Sequence, residues 1–85
     1  MKDYTYVVQQ AYGLHARPAG ELNRLAKTFS STVTVYRGEQ SADAKRLMFL
    51  MALGIKKGDT IRVCAEGADE DACIEALAAY ISEHV

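Results

Sequence analysis

Polar and apolar positions change period along this chain, and the changes mark an alternation of strands and helices. Tyr4-Thr5-Tyr6-Val7-Val8 is aromatic and β-branched, which predicts a first strand. Gln9 to Leu14 reads as a loop. From Ala19 the period becomes helical, with Leu22, Leu25, Ala26 and Phe29 at i, i+3, i+4 and i+7. A first helix is predicted over Ala16 to about Lys27, with a costly Gly20 inside it. Thr32-Val33-Thr34-Val35-Tyr36 alternates cleanly, and Arg37-Gly38-Glu39 turns the chain into a short strand near Gln40 to Asp43. Leu47, Leu50 and Met51 mark a short second helix, which Gly54 ends as a C′ residue. After a turn at Lys57-Gly58-Asp59, Thr60 to Glu66 reads as a strand with Ile61, Val63 and Ala65 on one face. Asp69 is placed to cap a third helix whose core stripe is Ile74, Leu77, Ala78 and Ile81.

The order β-α-β-β-α-β-α predicts an α+β, two-layer open-faced sandwich, with three helices on one face of a four-stranded sheet. The other face is expected to be open to solvent, displaying Thr5, Val7, Thr34, Tyr36, Arg62 and Cys64. A chain of 85 residues forms one domain, residues 1–85, with enough buried surface for one core. The first ten residues are mostly polar and do not resemble a signal peptide, and the longest apolar run, Leu47 to Leu53, is too short to span a bilayer. A cytoplasmic protein without membrane insertion is expected. Cys64 and Cys73 form no metal or redox motif, so inert free thiols are expected, with no metal and no cofactor. Cys64 is expected at the surface.

Net charge is −1, but it is unevenly spread. All ten basic side chains lie in residues 1–65, and six of the eleven acidic ones lie in the last twenty positions. Nucleic-acid binding is not expected, because aromatic and basic residues are not interleaved and no binding motif is present. A localised basic patch facing acidic protein partners fits the distribution better.

Chemistry concentrates at Gly13-Leu14-His15-Ala16-Arg17-Pro18. Proline fixes φ and lacks an N–H, so it suits the first turn of a helix. His15 then falls at or beside the N-cap and Arg17 in the first turn, where free N–H groups and the positive end of the macrodipole favour an anion. A cation there opposes helix stability, and makes sense if an anion is held at that point. An imidazole with its ordinary pKa of about 6.5 offers a neutral nucleophilic nitrogen at cellular pH. The combination points to a histidine that carries a phosphoryl group, with the Ala16 and Arg17 backbone N–H groups and the Arg17 side chain binding phosphate. Lys45 and Arg46 likewise put positive charge at the start of the second helix, whereas Asp69, Glu70 and Asp71 obey the usual rule at the third. Two exceptions in one domain point to a shared surface for an anionic partner. Met48 and Phe49 lie off the core stripe. With Leu47 and Met51 they make an apolar docking patch, rimmed by Arg17, Arg24, Lys27, Lys45 and Arg46. His84 complements the dipole at the end of the third helix and is read as structural.

The chain resembles the HPr family, the histidine-containing phosphocarriers of the bacterial phosphoenolpyruvate-dependent sugar phosphotransferase system. The resemblance covers nearly the whole chain. It rests on Gly13-Leu14-His15-Ala16-Arg17-Pro18-Ala19, Ser41-Ala42-Asp43-Ala44-Lys45, Leu53-Gly54-Ile55-Lys56-Lys57-Gly58-Asp59 and Ala65-Glu66-Gly67. It implies an antiparallel sheet of strand order 1-4-2-3, and a monomer. It also implies that His15 accepts a phosphoryl group on Nδ1 from enzyme I and passes it to the enzyme IIA of a sugar permease, with Arg17 balancing charge at the phosphate. Such a protein is a stoichiometric relay rather than an enzyme. Two positions depart from the family pattern. Arg46 stands where a regulatory serine is common, and Tyr12 stands where a small polar residue is frequent.

Two rival functions are less well supported. A regulatory interaction module that relays no phosphate would have no need of His15 and Arg17. A phosphatase acting through a histidine would need a general acid opposite the nucleophile, and the segment around His15 contains none.

Overall fold

A computed structural model describes residues 1–85. The elements are β1 (Lys2–Val7), α1 (Ala16–Lys27), β2 (Thr32–Arg37), β3 (Gln40–Asp43), α2 (Leu47–Ala52), β4 (Thr60–Glu66) and α3 (Glu70–His84). The four strands form one antiparallel sheet in the order β1-β4-β2-β3. This is the predicted order of elements. β1 begins earlier than its apolar run, because Lys2 and Asp3 pair with Ala65 and Cys64 of β4. No helix is long and apolar enough to cross a membrane.

Register decides which side chains share the core. Tyr4 lies opposite Val63 and Tyr6 opposite Ile61, while Val33 and Val35 of β2 face Ala65 and Val63 from the other side. Val33, Val35, Ile61, Val63 and Ala65 are all buried on the face that α1 and α3 cover. α1 contributes Ala19, Leu22 and Ala26, α2 contributes Leu50, and α3 contributes Cys73, Leu77 and Ile81.

Two sequence expectations are corrected here. On α3, Cys73 joins Leu77 and Ile81 at the buried centre, while Ile74 packs against the core only half-buried and Ala78 is half-buried too. The buried set Cys73, Leu77 and Ile81 follows a strict i, i+4, i+8 line, and apolar residues beside that line lie at its margin. Burial pushes the Cys73 thiol up, which keeps it inert. Cys64 does lie on the open sheet face, yet it is buried rather than at the surface. It sits on the inner strand β4, with Asp3 opposite on one side and Thr34 on the other. Arg62 Nε donates to Asp3 Oδ2 at 3.0 Å, and its guanidinium lies 5.3 Å from the Tyr36 ring centroid. These neighbours lie around a side chain too short to emerge between them.

Asp69 occupies the N-cap position of α3, but its side chain makes no cap bond. Its carboxylate accepts instead from the Ser30 and Ser31 backbone N–H groups, at 2.8 and 2.9 Å, and from the Ser31 hydroxyl. It therefore ties the connection between α1 and β2 to the start of α3. These donors, the Ser31 hydroxyl first, hold the carboxyl down at about 2.

Candidate functional site

The approach to α1 is fixed by close backbone packing. Gly13 has φ +62°, and a Cβ there would collide with the Ile55 carbonyl oxygen and come within 2.7 Å of Lys56 Cα. The Leu14 N–H donates to that same carbonyl at 3.2 Å, and both Leu14 and Ile55 are buried. Upstream, Gln9 and Gln10 donate their N–H groups to the Val85 carbonyl at 3.0 and 2.8 Å. The loop before the helix is thus held by the segment after α2 and by the end of the chain.

His15 follows as the N-cap of α1, with φ −89° and ψ −172°. Its carbonyl accepts the Ala19 N–H at 2.9 Å, while its imidazole makes no cap bond and is exposed. The Tyr12 ring, itself 83% exposed, meets the imidazole edge-on with centroids 6.1 Å apart. The Ala16 and Arg17 N–H groups have no acceptor in the protein. Pro18 offers no N–H, and no acidic residue occupies the first turn. The positive end of this helix is therefore uncompensated beside a free imidazole, as an anion site requires.

Arg17 is almost fully exposed, with Nε 3.6 Å from Glu21 Oε1. Glu21 Oε2 accepts the Tyr80 hydroxyl of α3 at 2.6 Å. That bond, aided by Arg17, holds the Glu21 carboxyl below the usual carboxylate range. Burial, then the Glu21 contact, pushes the Tyr80 phenol up to about 12. The His84 ring stacks on Tyr80 with centroids 4.6 Å apart. His15, Arg17, Pro18, Glu21, Tyr80 and His84 line one shallow open pocket of about 340 Å³. Sequence reasoning assigned no site role to Glu21, Tyr80 or His84. Arg17 with Glu21 and Tyr80 with His84 each show the i, i+4 spacing of one helix face, but only the tertiary fold brings the end of α3 beside the start of α1.

Of the expected docking residues, Leu47, Met48, Phe49 and Met51 lie on α2, Arg46 at its N-cap, Lys45 just before it, and Arg24 and Lys27 on α1, the helix that packs against α2. Asn23 is buried in α1 and donates Nδ2 to the Ala44 carbonyl at 2.8 Å, fixing the chain just before α2. Met48, Phe49 and Met51 are exposed, by 79%, 52% and 40%, while Leu50 alone of this run reaches the core and Leu47 is half-buried. Arg24, Lys27 and Arg46 are exposed. Arg46 is the N-cap residue of α2, and its guanidinium lies 4.3 Å from the Phe49 ring centroid. Lys45 differs from the other cations. It is half-buried, and its ammonium donates to the Phe29 carbonyl at 2.8 Å.

Comparison with known proteins agrees with this geometry. Residues 2–83 match the family model described as the PTS HPr component phosphorylation site. The chain is 37% identical over 83 residues to the phosphocarrier protein HPr of Lysinibacillus sphaericus, covering 98% of this chain and 94% of that one. It is 44% identical over 69 residues to the phosphocarrier protein HPr of Haemophilus influenzae, covering 81% of each. Among solved structures, the histidine-containing phosphocarrier protein of Mycoplasma superposes with a TM-score of 0.94 at 34% identity, covering 96% of this chain and 93% of that one. With the strand order, the element order and the histidine at a bare helix start in place, the chain belongs to the HPr family of phosphotransferase-system phosphocarriers.

Proposed function

We propose that this protein is a cytoplasmic relay that accepts a phosphoryl group on His15 Nδ1 from enzyme I and passes it to an enzyme IIA domain. The observation that carries this reading is the exposed His15 imidazole at an N-terminus whose Ala16 and Arg17 N–H groups are unpaired, with Arg17 alongside. In the transfer, the Nδ1 lone pair forms a bond to phosphorus as the donor's bond to phosphorus breaks, and the donor keeps that electron pair. The proton on Nε2 remains on the ring or leaves to solvent. The Ala16 and Arg17 N–H groups and the Arg17 guanidinium face the phosphoryl oxygens and stabilise charge developing there. Passing the group onward reverses these steps, so the protein is regenerated without net turnover of its own.

Partners dock, on this reading, on Leu47, Met48, Phe49 and Met51, with Arg17, Arg24, Lys27, Lys45 and Arg46 as the basic rim. Rim charges raise association rates with acidic partners, and do so less as salt increases. Arg46 stands where many relatives carry a regulated serine. It cannot be phosphorylated by a serine kinase and keeps positive charge at that place permanently.

The test is mass spectrometry after mixing with enzyme I and phosphoenolpyruvate. One acid-labile phosphate is expected on His15 and none on His15→Ala. Because His84 lines the same pocket, the phosphate must be located by site, and finding it on His84 overturns the assignment.

A further inference from the structure

Glu21 is the one carboxylate lining the His15 pocket, and it lies between an anchor and a cation. The Tyr80 hydroxyl from α3 holds Oε2 at 2.6 Å, and Oε1 faces Arg17 Nε at 3.6 Å. An i, i+4 ion pair alone is ordinary helix-surface chemistry. A carboxylate anchored by a hydroxyl from a distant helix, beside the histidine, does more than that. The Arg17–Glu21 separation exceeds hydrogen-bond length, so the guanidinium is attracted but not captured. A phosphoryl dianion arriving on His15 needs that same guanidinium, and must take it from a neighbouring anion that cannot swing away freely.

We propose that Glu21, anchored by Tyr80, is a positioning residue that competes with the phosphoryl group for Arg17 and thereby keeps phosphorylated His15 ready to give its group up. The inference rests on the phosphocarrier reading above. Without the competing carboxylate, Arg17 would settle more fully on the phosphoryl oxygens and the phosphorylated form would become the more stable donor. Glu21 therefore sets the phosphoryl-transfer potential of His15 without touching the reacting atoms.

An exchange equilibrium tests this. Isotope-labelled wild-type chain and unlabelled Glu21→Gln are mixed in equal amounts with a trace of enzyme I and limiting phosphoenolpyruvate, and intact masses report how phosphate divides between them. Glutamine keeps an acceptor for the Tyr80 hydroxyl, so melting curves of the two chains check that the fold is the same. Phosphate is expected to favour Glu21→Gln by about threefold at low salt, the scale of an exposed ion pair, with the preference fading at high salt. The same exchange between Arg17→Ala and the double variant Arg17→Ala/Glu21→Gln is expected to divide evenly, because the competition has lost its object. An even division in the first exchange overturns the proposal. An equal preference in both backgrounds also overturns it, since Glu21 would then act by direct repulsion and not through Arg17. If wild-type chain takes no phosphate on His15, the carrier reading falls and this inference falls with it.

Discussion

Replacing Gly13 by alanine tests how tightly the fold holds the histidine. Two costs arise at once. A left-handed φ costs a residue with a Cβ about 1–2 kcal/mol, offset by about 0.4–1 kcal/mol from the reduced freedom of the unfolded chain. The new methyl also collides with backbone at Ile55 and Lys56. Relief requires the loop to move away, which breaks the buried bond from the Leu14 N–H to the Ile55 carbonyl. A buried backbone bond left unmade costs about 1–3 kcal/mol, so the variant loses about 2–4 kcal/mol. Gly38 is the matched control, because its φ is +60° and nothing lies within 4 Å of a Cβ built there. Gly38→Ala bears only the conformational cost, about 1 kcal/mol or less. For a domain of this size 1 kcal/mol moves the melting temperature by about 4–8 °C. The two variants then differ by the broken bond, about 1–3 kcal/mol, and calorimetry is expected to find Gly13→Ala melting about 4–24 °C below Gly38→Ala. Displacement of the loop also moves His15, so chemical phosphorylation by phosphoramidate is expected to slow in Gly13→Ala and stay at the wild-type rate in Gly38→Ala. Equal melting temperatures for the two variants would refute the close-approach reasoning.

Three further outcomes follow from particular contacts. Asn23→Ala leaves the buried Ala44 carbonyl without its 2.8 Å donor, and chemical denaturation is expected to show a loss of about 1–3 kcal/mol. The Asp69 carboxyl is held at about 2 against an ordinary value of 3.8; a depressed carboxylate stabilises the fold above its unfolded value and loses that contribution as pH falls through its folded one. Urea midpoints are therefore expected to fall between about pH 4 and pH 2 in the wild type, with a flatter slope in Asp69→Asn. In Arg46→Asp, better capping adds about 0.5–1 kcal/mol and the lost contact with Phe49 removes a similar amount. The melting temperature is then expected to hold, while transfer from enzyme I slows most at low salt; unslowed transfer would remove Arg46 from the docking rim.

Most of the fold was legible because local preference and tertiary role agree. β4 alternates at Ile61, Val63 and Ala65, and all three are buried in the register that pairs them with β1 and β2. His15, Arg17 and Pro18 announce the bare helix start through residue types that have fixed meanings at helix ends. Illegible features all depend on distant neighbours. Alternation put Cys64 on the correct face, but its burial depends on Asp3, Thr34 and Arg62 lying around it. Asp69 was placed at the correct cap position, yet Ser30 and Ser31 win its carboxylate, because the α1–β2 connection lies against the start of α3. Lys45 was read as a rim charge, and the bond from its ammonium to the Phe29 carbonyl, two residues beyond α1, left no local signal. In each case one local pattern served two possible partners, and only the packing of separate elements chose between them.

The same division separates what holds the site from what is left open in it. Behind His15 the backbone is closely constrained: Gly13 presses on Ile55 and Lys56, Gln9 and Gln10 are tied to the Val85 carbonyl, and Ala19 is bonded back to the histidine's own carbonyl. In front of it Tyr12, the imidazole and Arg17 are exposed. An enzyme that completed its chemistry alone would need walls to exclude water and strengthen its electrostatics. The proposed relay has the opposite requirement, since on that reading the same imidazole enters the sites of a donor and of an acceptor in turn. A rigid backbone with an open side chain lets each partner supply the missing walls, and the apolar patch of Met48, Phe49 and Met51 on the helix packed against α1 is surface that such a partner can cover. On this reading water exclusion belongs to the docked pair and not to the carrier. A phosphoryl group on the free protein would then rest on the Ala16 and Arg17 N–H groups and on nearby charge, and the proposed balance between Arg17 and Glu21 would act there.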